Sequence, residues 1–158
     1  MTLARLHHIL VTAMGWQDSH LHLFRVGGVL YGQPSREWDL DVVDEGKTSL
    51  AEVLAQVRAA IEYEYDLGDS WRHDIVLEEI LTAEEGVRYP VLMDGEGACP
   101  PEDVGGIGGY AYFRLVLADP EHDEHDEYVR WAGLDTAQKF DPAKFAVEAA
   151  RRALASAG

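Results

Sequence analysis

The sequence predicts an α+β fold, with a mainly antiparallel sheet packed by an N-terminal helix and a C-terminal group of helices. Three observations carry this prediction. Apolar residues recur at helical spacing over residues 3–14. Runs with the two-residue alternation of strands, or paired around glycines, occupy residues 21–31 and 60–81. Helix signals return in the C-terminal part of the chain, from residue 110 onward.

The N-terminal elements have recognisable boundary signals. Thr2 can cap the first helix, and Gly15 can end it in the left-handed conformation. Residues 21–26 and 29–31 flank the Gly27-Gly28 pair, as the two strands of a hairpin flank their turn. We therefore expect one amphipathic helix followed by a strand pair.

A short helix and two further strands are predicted next. Ser49 and Glu52 have the capping-box spacing for a helix over residues 49–54. Apolar and acidic residues alternate over residues 60–66, the pattern of a half-buried strand whose acidic face meets water. A turn at residues 67–70 leads to an extended run over residues 71–81, so we expect these two strands to be antiparallel neighbours.

The C-terminal part is predicted to hold a strand, a long loop and three helices. Residues 89–93 are typical of a short strand, and residues 94–109 are too rich in glycine for regular structure. Residues 110–117 are apolar enough for a buried helix. Asp119-Pro120 and Asp141-Pro142 each place a capping acid before a proline suited to a first helical turn, so helices should follow both, the last over residues 143–155.

Composition limits the class of protein. A chain of 158 residues with 47% hydrophobic side chains suits a single domain spanning residues 1–158. The 29 acidic and 13 basic residues give a charge of −16, which disfavours nucleic-acid binding through a broad basic surface. No apolar run reaches the length of about 18 residues that a membrane span needs, so we expect a cytoplasmic protein. Cys99 is the lone cysteine and cannot form an internal disulfide.

Two segments place candidate metal ligands close together in sequence. His20 and His22 share one face if their segment is a strand, where they could bind a metal or be ordinary strand residues. Asp69 and His73 flank one tight turn and could supply a metal or acid–base site. Equally, Asp66 and Asp69 could satisfy turn amides. Without a third convergent ligand, ordinary strand residues are the favoured interpretation of His20 and His22, whereas both alternatives stay open at Asp69 and His73. The carboxylates of these motifs, Asp66 and Asp69 among them, favour a cation or cationic partner over a nucleic acid.

Two other segments are more simply explained by structure. In residues 99–110, no local cation activates the Cys99 thiol, and Glu102 and Asp103 would repel an anion from the glycines. A rigid, closely packed turn is therefore favoured there. His122 and His125 could bind a metal one helical turn apart, but charged runs of this kind usually begin a solvated helix.

Three motifs together resemble the plasmid pRiA4b ORF-3-like family. They are GWQDSHLHLF at residues 15–24, YEYDLGDSWRH at residues 63–73, and the segment from Tyr89-Pro90 through CPPEDVGG at residues 99–106. The resemblance covers nearly the whole chain, including the closing Phe140-Asp141-Pro142 helix. It implies an α+β domain found in bacterial, plasmid and insertion-sequence-associated proteins, and it brings no established reaction.

The resemblance also bears on partners. Some family members are described as passengers of transposable elements or as resolvase-like, but this sequence has neither a serine-recombinase pattern nor a basic DNA-reading segment. Family members usually begin with strands that precede the helix starting here after Thr2. Without such strands a sheet edge would be unpaired, which predicts a homodimer formed through that edge by strand addition or a swapped element. Alternatively, the native protein carries these strands ahead of Met1.

Three functions follow as hypotheses. The first is an accessory module that binds a protein or small-molecule ligand. Its candidate pocket residues are Trp16, Asp18, His20, His22, Tyr65, Asp69, Trp71, His73, Cys99, Glu102 and Asp103. The second is a metal-dependent hydrolase or nuclease-like enzyme, which needs at least three ligands to converge. It would use some of His20, His22, Asp69, His73, Cys99, Glu102 and Asp103, and the candidate metal ligands among them are His20, His22, Asp69 and His73.

The third hypothesis is a DNA-associated transposon accessory protein. It requires a local basic patch, for which Arg5, Arg25, Arg36 and Arg58 are the candidates. No organic cofactor is evident, and a divalent metal is the cofactor that the histidine and aspartate motifs would hold. The sequence contains no complete catalytic constellation and does not decide whether the protein is an enzyme.

Overall fold

Within the described residues, the fold is one five-stranded sheet with one helix before it, a short helix between its third and fourth strands, and three helices after it. The computed structural model describes residues 1–35, 41–135 and 140–157. The elements are α1 Leu3–Met14, β1 His22–Val26, β2 Val29–Gly32, β3 Val43–Asp44, α2 Leu50–Val53, β4 Ala60–Tyr65, β5 Trp71–Val76, α3 Gly106–Ala118, α4 His125–Trp131 and α5 Val147–Ser156. The strand order is β3-β2-β1-β4-β5, and the pairs are antiparallel except for β2 with β3. The predicted α+β class, with an N-terminal helix and C-terminal helices, is confirmed.

Local signals set the N-terminal elements. The Thr2 side chain accepts a hydrogen bond from Arg5 N at 3.3 Å, and Gly15 ends α1 with φ 82°. Leu3 and Val11 of α1 are buried in the core. Each fully buried side chain of this kind contributes about 1.5–3 kcal/mol, so tertiary packing adds to the capped helix.

The core face of the sheet is aromatic. Antiparallel register places Phe24 opposite Tyr63 and His22 opposite Tyr65 between β1 and β4. The next pair of strands places Tyr65 opposite Trp71. Because side chains two apart in a strand share a face, one side of the sheet presents this row to α1.

The opposite face of the sheet is more buried than the alternation of apolar and acidic residues over residues 60–66 predicted. Glu64 is only 4% exposed, with Arg25 Nη2 at 2.5 Å and a hydrogen bond from the Ser70 hydroxyl. Burial alone would raise the pKa of Glu64, but these hydrogen bonds outweigh it and lower the pKa. The expectation that this face meets water is therefore wrong at Glu64, because an arginine from β1 covers it.

Strand β5 ends earlier than expected because its partner begins late. Leu77 N donates to Ala59 O at 3.0 Å, and β4 starts only at Ala60. Beyond that point β5 has no further residue of β4 to pair with, so the predicted strand to residue 81 is too long. Residues 89–93 are not a strand either.

The C-terminal helices differ from the prediction in position and burial. α3 begins at Gly106 rather than residue 110, and it is largely exposed, with only Gly106, Phe113 and Val116 buried. The expectation of a buried helix is wrong there. α4 and α5 start several residues after each Asp-Pro pair, since the Asp119 and Asp141 carboxylates accept from turn amides two residues on instead of capping a helix.

The structure bears on two further expectations, the absence of a membrane span and the unpaired sheet edge. Across the described ranges, no helix is both long and apolar enough to span a membrane. β5 lies at one end of the strand order and β3 at the other. Pairing of a second copy with such an edge stays a prediction.

Candidate functional site

Three sequence motifs meet at one end of the sheet. The Trp16 indole Nε1 donates to Pro100 O at 3.0 Å, and Gln17 N donates to Glu102 Oε1 at 2.8 Å. Gly105 N donates to Asp69 Oδ2 at 3.0 Å. The segments 15–22, 65–73 and 99–106 are therefore joined by direct hydrogen bonds, although they are far apart in sequence.

Aromatic packing forms the base of this junction. Trp16 stacks on Tyr65 with ring centroids 4.6 Å apart, and its edge meets His73 at 5.7 Å. Such pairs contribute about 0.5–1.5 kcal/mol beyond their buried area. The packing fixes the turn after α1 against β4 and β5.

The junction needs glycine at position 106. A Cβ there would lie 2.7 Å from Asp69 O, and the residue has φ 65°. Only glycine avoids both the clash and the strain of this conformation. The favoured interpretation of the glycine-rich stretch, a rigid and closely packed turn, agrees with this contact.

His20 lies among three carboxylates. Its Nε2 is 3.1 Å from Asp103 Oδ1 and 3.4 Å from Glu102 Oε2, and its Nδ1 is 3.7 Å from Asp66 Oδ2. Ligand atoms of His20, Asp66 and Asp103 all lie within 4.8 Å of one another. We call His20, Asp66, Glu102 and Asp103 the His20 cluster.

The carboxylates of the His20 cluster are held by other parts of the chain. Glu102 Oε1 accepts from Gln17 N and from the Tyr65 hydroxyl at 3.0 Å, which leaves Oε2 directed to His20. Asp66 Oδ1 accepts from Gly68 N at 2.9 Å, so its Oδ2 is the atom near His20. Burial, followed by the hydrogen bond to Glu102, raises the pKa of Tyr65, which therefore stays a hydrogen-bond donor.

Backbone strain accompanies the acidic residues of this region. Asp66 and Asp103 have φ 55° and 57°, and Asp18 has φ 59°. Aspartate tolerates the left-handed region better than most residues, but such positions persist only where the surrounding structure fixes them. The fold thus holds these carboxylates at set positions.

One atom of the cluster lacks a directional partner. His20 Nε2 is buried and makes no hydrogen bond, although Asp103 Oδ1 is 3.1 Å away. The distance satisfies an ion pair, while the angles do not suit an N–H donor. An imidazole nitrogen and a carboxylate oxygen at this separation can both be ligands of one cation. The residues present therefore fit a divalent cation.

The other predicted metal ligands have different partners. His22 Nε2 is 2.8 Å from Glu45 Oε2, and Asp69 Oδ2 accepts a hydrogen bond from Gly105 N. The His73 ring makes an edge contact with the Trp16 ring, and burial lowers the pKa of His73. The His20 cluster thus replaces them with Asp66 and Asp103, and a metal role for His22, Asp69 and His73 stays a prediction.

The remaining pocket candidates have structural contacts. Burial and the Glu102 charge raise the pKa of the Cys99 thiol to about 12, which agrees with the argument against a reactive thiolate. Trp71 is half-buried, edge-on to Tyr110 with ring centroids 6.3 Å apart. Arg25, one of the arginines considered for a basic patch, is engaged with Glu62 and Glu64, and Arg36 lies outside the described residues.

A second group of imidazoles was not found from the sequence. His7 and His8 of α1 both contact the carboxylate of Asp18, with His7 Nε2 at 2.7 Å and His8 Nδ1 at 3.2 Å. The His7 ring also stacks on His22, with centroids 3.4 Å apart and planes 5° from parallel. The available sequence signal for a metal site was the adjacent pair His7 and His8 inside an apolar helix pattern. A histidine packed in the core explains that pattern equally well.

The fold and the site together define a small α+β domain in which three sequence motifs meet at one hydrogen-bonded junction. The chain belongs to the plasmid pRiA4b ORF-3-like protein family, whose profile matches residues 1–149. This confirms the resemblance drawn from the motifs.

Two relatives extend this assignment. The uncharacterized protein y4hQ of Sinorhizobium fredii (strain NBRC 101917 / NGR234) is 43% identical over 132 residues, which cover 83% of this chain and 68% of the relative. The crystal structure of the protein of unknown function MM3350 from Methanosarcina mazei Go1 has 34% identity and a TM-score of 0.78. That match covers 93% of this chain and 82% of the other. Neither description states a reaction.

Proposed function

We propose that the protein is a divalent-cation-binding module whose ion lies in the His20 cluster. The observation that carries the proposal is the convergence of His20, Asp66 and Asp103 from three separate segments, with ligand atoms within 4.8 Å of one another. Three convergent protein ligands with an open position are the arrangement of many metal sites that exchange a further ligand.

Charge supports a cation at this position. The ion pairs that the described residues make with Asp66, Glu102 and Asp103 all come from His20. Three carboxylates and one imidazole therefore carry a local negative excess, which a divalent ion would reduce. The acidic character of the chain has a specific role here, besides solubility.

The donor set indicates the class of ion. Asp66, Asp103 and Glu102 offer oxygen atoms, and His20 offers one nitrogen. Carboxylate-rich sites suit Mn²⁺ and Mg²⁺, and a single imidazole favours Mn²⁺ over Mg²⁺. We therefore expect Mn²⁺ to be the most informative probe.

Binding of Mn²⁺ to tag-free protein tests the proposal by electron paramagnetic resonance and calorimetry. The variant Asp103→Asn removes one ligand charge, and asparagine tolerates the left-handed φ at this 72% exposed side chain. It should weaken Mn²⁺ binding by about tenfold or more, since even mutation of a residue that only orients a metal ligand costs about 10–100-fold in metal affinity.

The matched control is Asp74→Asn, which makes the same charge change at an exposed position of β5 outside the His20 cluster. It should leave the affinity within about twofold, since exposed charges act weakly through solvent. Equal weakening in both variants would mean diffuse attraction to an acidic protein and would remove the proposal.

Metal-dependent hydrolysis is the second candidate, and the placement of Glu102 favours it. Its Oε1 is held by Gln17 N and the Tyr65 hydroxyl, while Oε2 points toward His20. A carboxylate held beside a bound ion can accept a proton from a water on that ion. Glu102→Gln should then abolish any Mn²⁺-dependent hydrolysis of phosphodiester or ester probes, even at Mn²⁺ concentrations that saturate the variant.

A role in plasmids or mobile elements is also proposed, and its support is the family to which the chain belongs. In that role, the module would serve as an accessory of such elements by binding a partner through the ion and the surrounding pocket. A mobility-shift assay at low salt, with and without Mn²⁺, separates DNA association from protein or small-molecule binding. No retardation in either condition would remove the DNA-associated alternative.

A further inference from the structure

A second cluster of metal-ligating side chains lies beside the His20 cluster and is chemically different from it. His7 Nε2 is 2.7 Å from Asp18 Oδ1, and His8 Nδ1 is 3.2 Å from Asp18 Oδ2. Ligand atoms of these three residues all lie within 4.8 Å of one another. We call His7, His8 and Asp18 the His7 cluster.

The His7 cluster opens onto a polar cavity. The cavity has a volume of about 780 Å³ and is lined by four of the seven histidines, His7, His8, His20 and His22. Asp18 and Glu45 also line it. Space and further donors are therefore available on the open side of the cluster.

We propose that His7, His8 and Asp18 bind a borderline transition-metal ion such as Zn²⁺, independently of the ion in the His20 cluster. Two imidazoles and one carboxylate with an open side are a donor set that such ions use in proteins. The set is nitrogen-rich, whereas the His20 cluster is oxygen-rich. The two sites should therefore differ in the metals that they prefer.

The surroundings of His7 allow the ring to become a ligand. While Nε2 donates to Asp18, Nδ1 accepts from the Tyr63 hydroxyl at 2.8 Å. When an ion takes Nε2, the ring proton moves to Nδ1 and can be donated to the Tyr63 oxygen. A tyrosine hydroxyl both donates and accepts, so it orients either tautomer of the ring.

Titration of tag-free protein with Co²⁺, a spectroscopic substitute for Zn²⁺, tests the inference. Visible absorption and calorimetry should report two bound equivalents in the unmodified protein. Both variants should still fold. The His8 side chain that His8→Ala removes is 60% exposed, and the asparagine of Asp18→Asn tolerates the left-handed φ of 59° at that position. Each variant should lose one equivalent together with the absorption bands of the nitrogen-rich site.

Two comparisons make the result decisive. His125→Gln removes an imidazole outside both clusters and should keep both equivalents. Asp103→Asn should remove the other equivalent and leave the bands of the His7 cluster, so failure of the proposed function is seen separately. Retention of both equivalents and unchanged bands in either His8→Ala or Asp18→Asn would overturn the inference.

Discussion

Tyr65→Phe tests whether the fold positions Glu102 for a cation. The Tyr65 hydroxyl accepts from Ser19 N at 3.2 Å and donates to Glu102 Oε1 at 3.0 Å. A neutral hydrogen bond contributes about 0.5–1.5 kcal/mol and one to a charged group about 1.5–3 kcal/mol. The variant should therefore lose about 2–4 kcal/mol of unfolding free energy.

The same change should reach the ion. Glu102 would keep the bond from Gln17 N but lose the bond from the ring hydroxyl. Removing a group that orients a ligand usually costs about 10–100-fold in metal affinity, which is the loss expected for Mn²⁺. Urea unfolding monitored by circular dichroism gives the stability, and calorimetry gives the affinity.

Tyr31→Phe is the matched control. It removes the same hydroxyl from a half-buried tyrosine of β2 that is not a member of the His20 cluster. It should change stability by less than about 0.5 kcal/mol. Equal stability of the two variants would refute the role of the Tyr65 hydroxyl. Lower stability of Tyr65→Phe with unchanged Mn²⁺ affinity would refute the placement of Glu102 beside the ion.

Three further predictions concern stability. Gly106→Ala, with a Cβ only 2.7 Å from a backbone oxygen, should cost about 1–3 kcal/mol in urea unfolding, whereas Gly108→Ala, with open space, should not. His7 has a folded pKa of about 4 against 6.5 unfolded, so the unfolded state binds more protons between these values. Stability should therefore fall by on the order of 3 kcal/mol from pH 7 to pH 4, and a constant stability would contradict the burial argument. Arg25→Ala leaves the buried Glu64 with weaker partners and should cost about 1–3 kcal/mol, a loss that Glu64→Gln in the same chain should partly restore.

Local signals predicted the elements whose boundaries are local. The Thr2 cap, the Gly15 end and the capping box at Ser49 all form as their spacing indicates. The glycine pair at residues 27–28 joins β1 to β2 with both glycines at positive φ. Each of these depends on a few neighbouring residues, so the sequence contains the whole signal.

Long-range contacts account for the errors. The alternation over β4 correctly indicated a strand, but the burial of Glu64 depends on Arg25 of another strand. The apolar sequence of α3 favoured a buried helix, yet Ile107 and Leu115 face outward. Hydrophobicity predicts that a segment can be buried, and only the tertiary arrangement decides whether a neighbour covers it.

The candidate site was predicted in part. The three motifs that contain it were identified, with His20, Glu102 and Asp103 among the candidates. Asp66 was considered for turn amides and, with the other carboxylates of the motifs, for a cation or cationic partner. One of its oxygens serves the turn, and the other faces His20. His7 was absorbed into the apolar pattern of α1, because helical periodicity does not show which polar residue will meet a distant carboxylate.

Anomalous diffraction from crystals grown or soaked with Mn²⁺ would locate the ion proposed for the His20 cluster. A divalent cation held by the His20 cluster should give a manganese peak among the His20 ring and the carboxylates of Asp66 and Asp103, at ligand distances of about 2.0–2.4 Å. A peak absent from this cluster at saturating Mn²⁺, with these side chains ordered, would contradict the proposal.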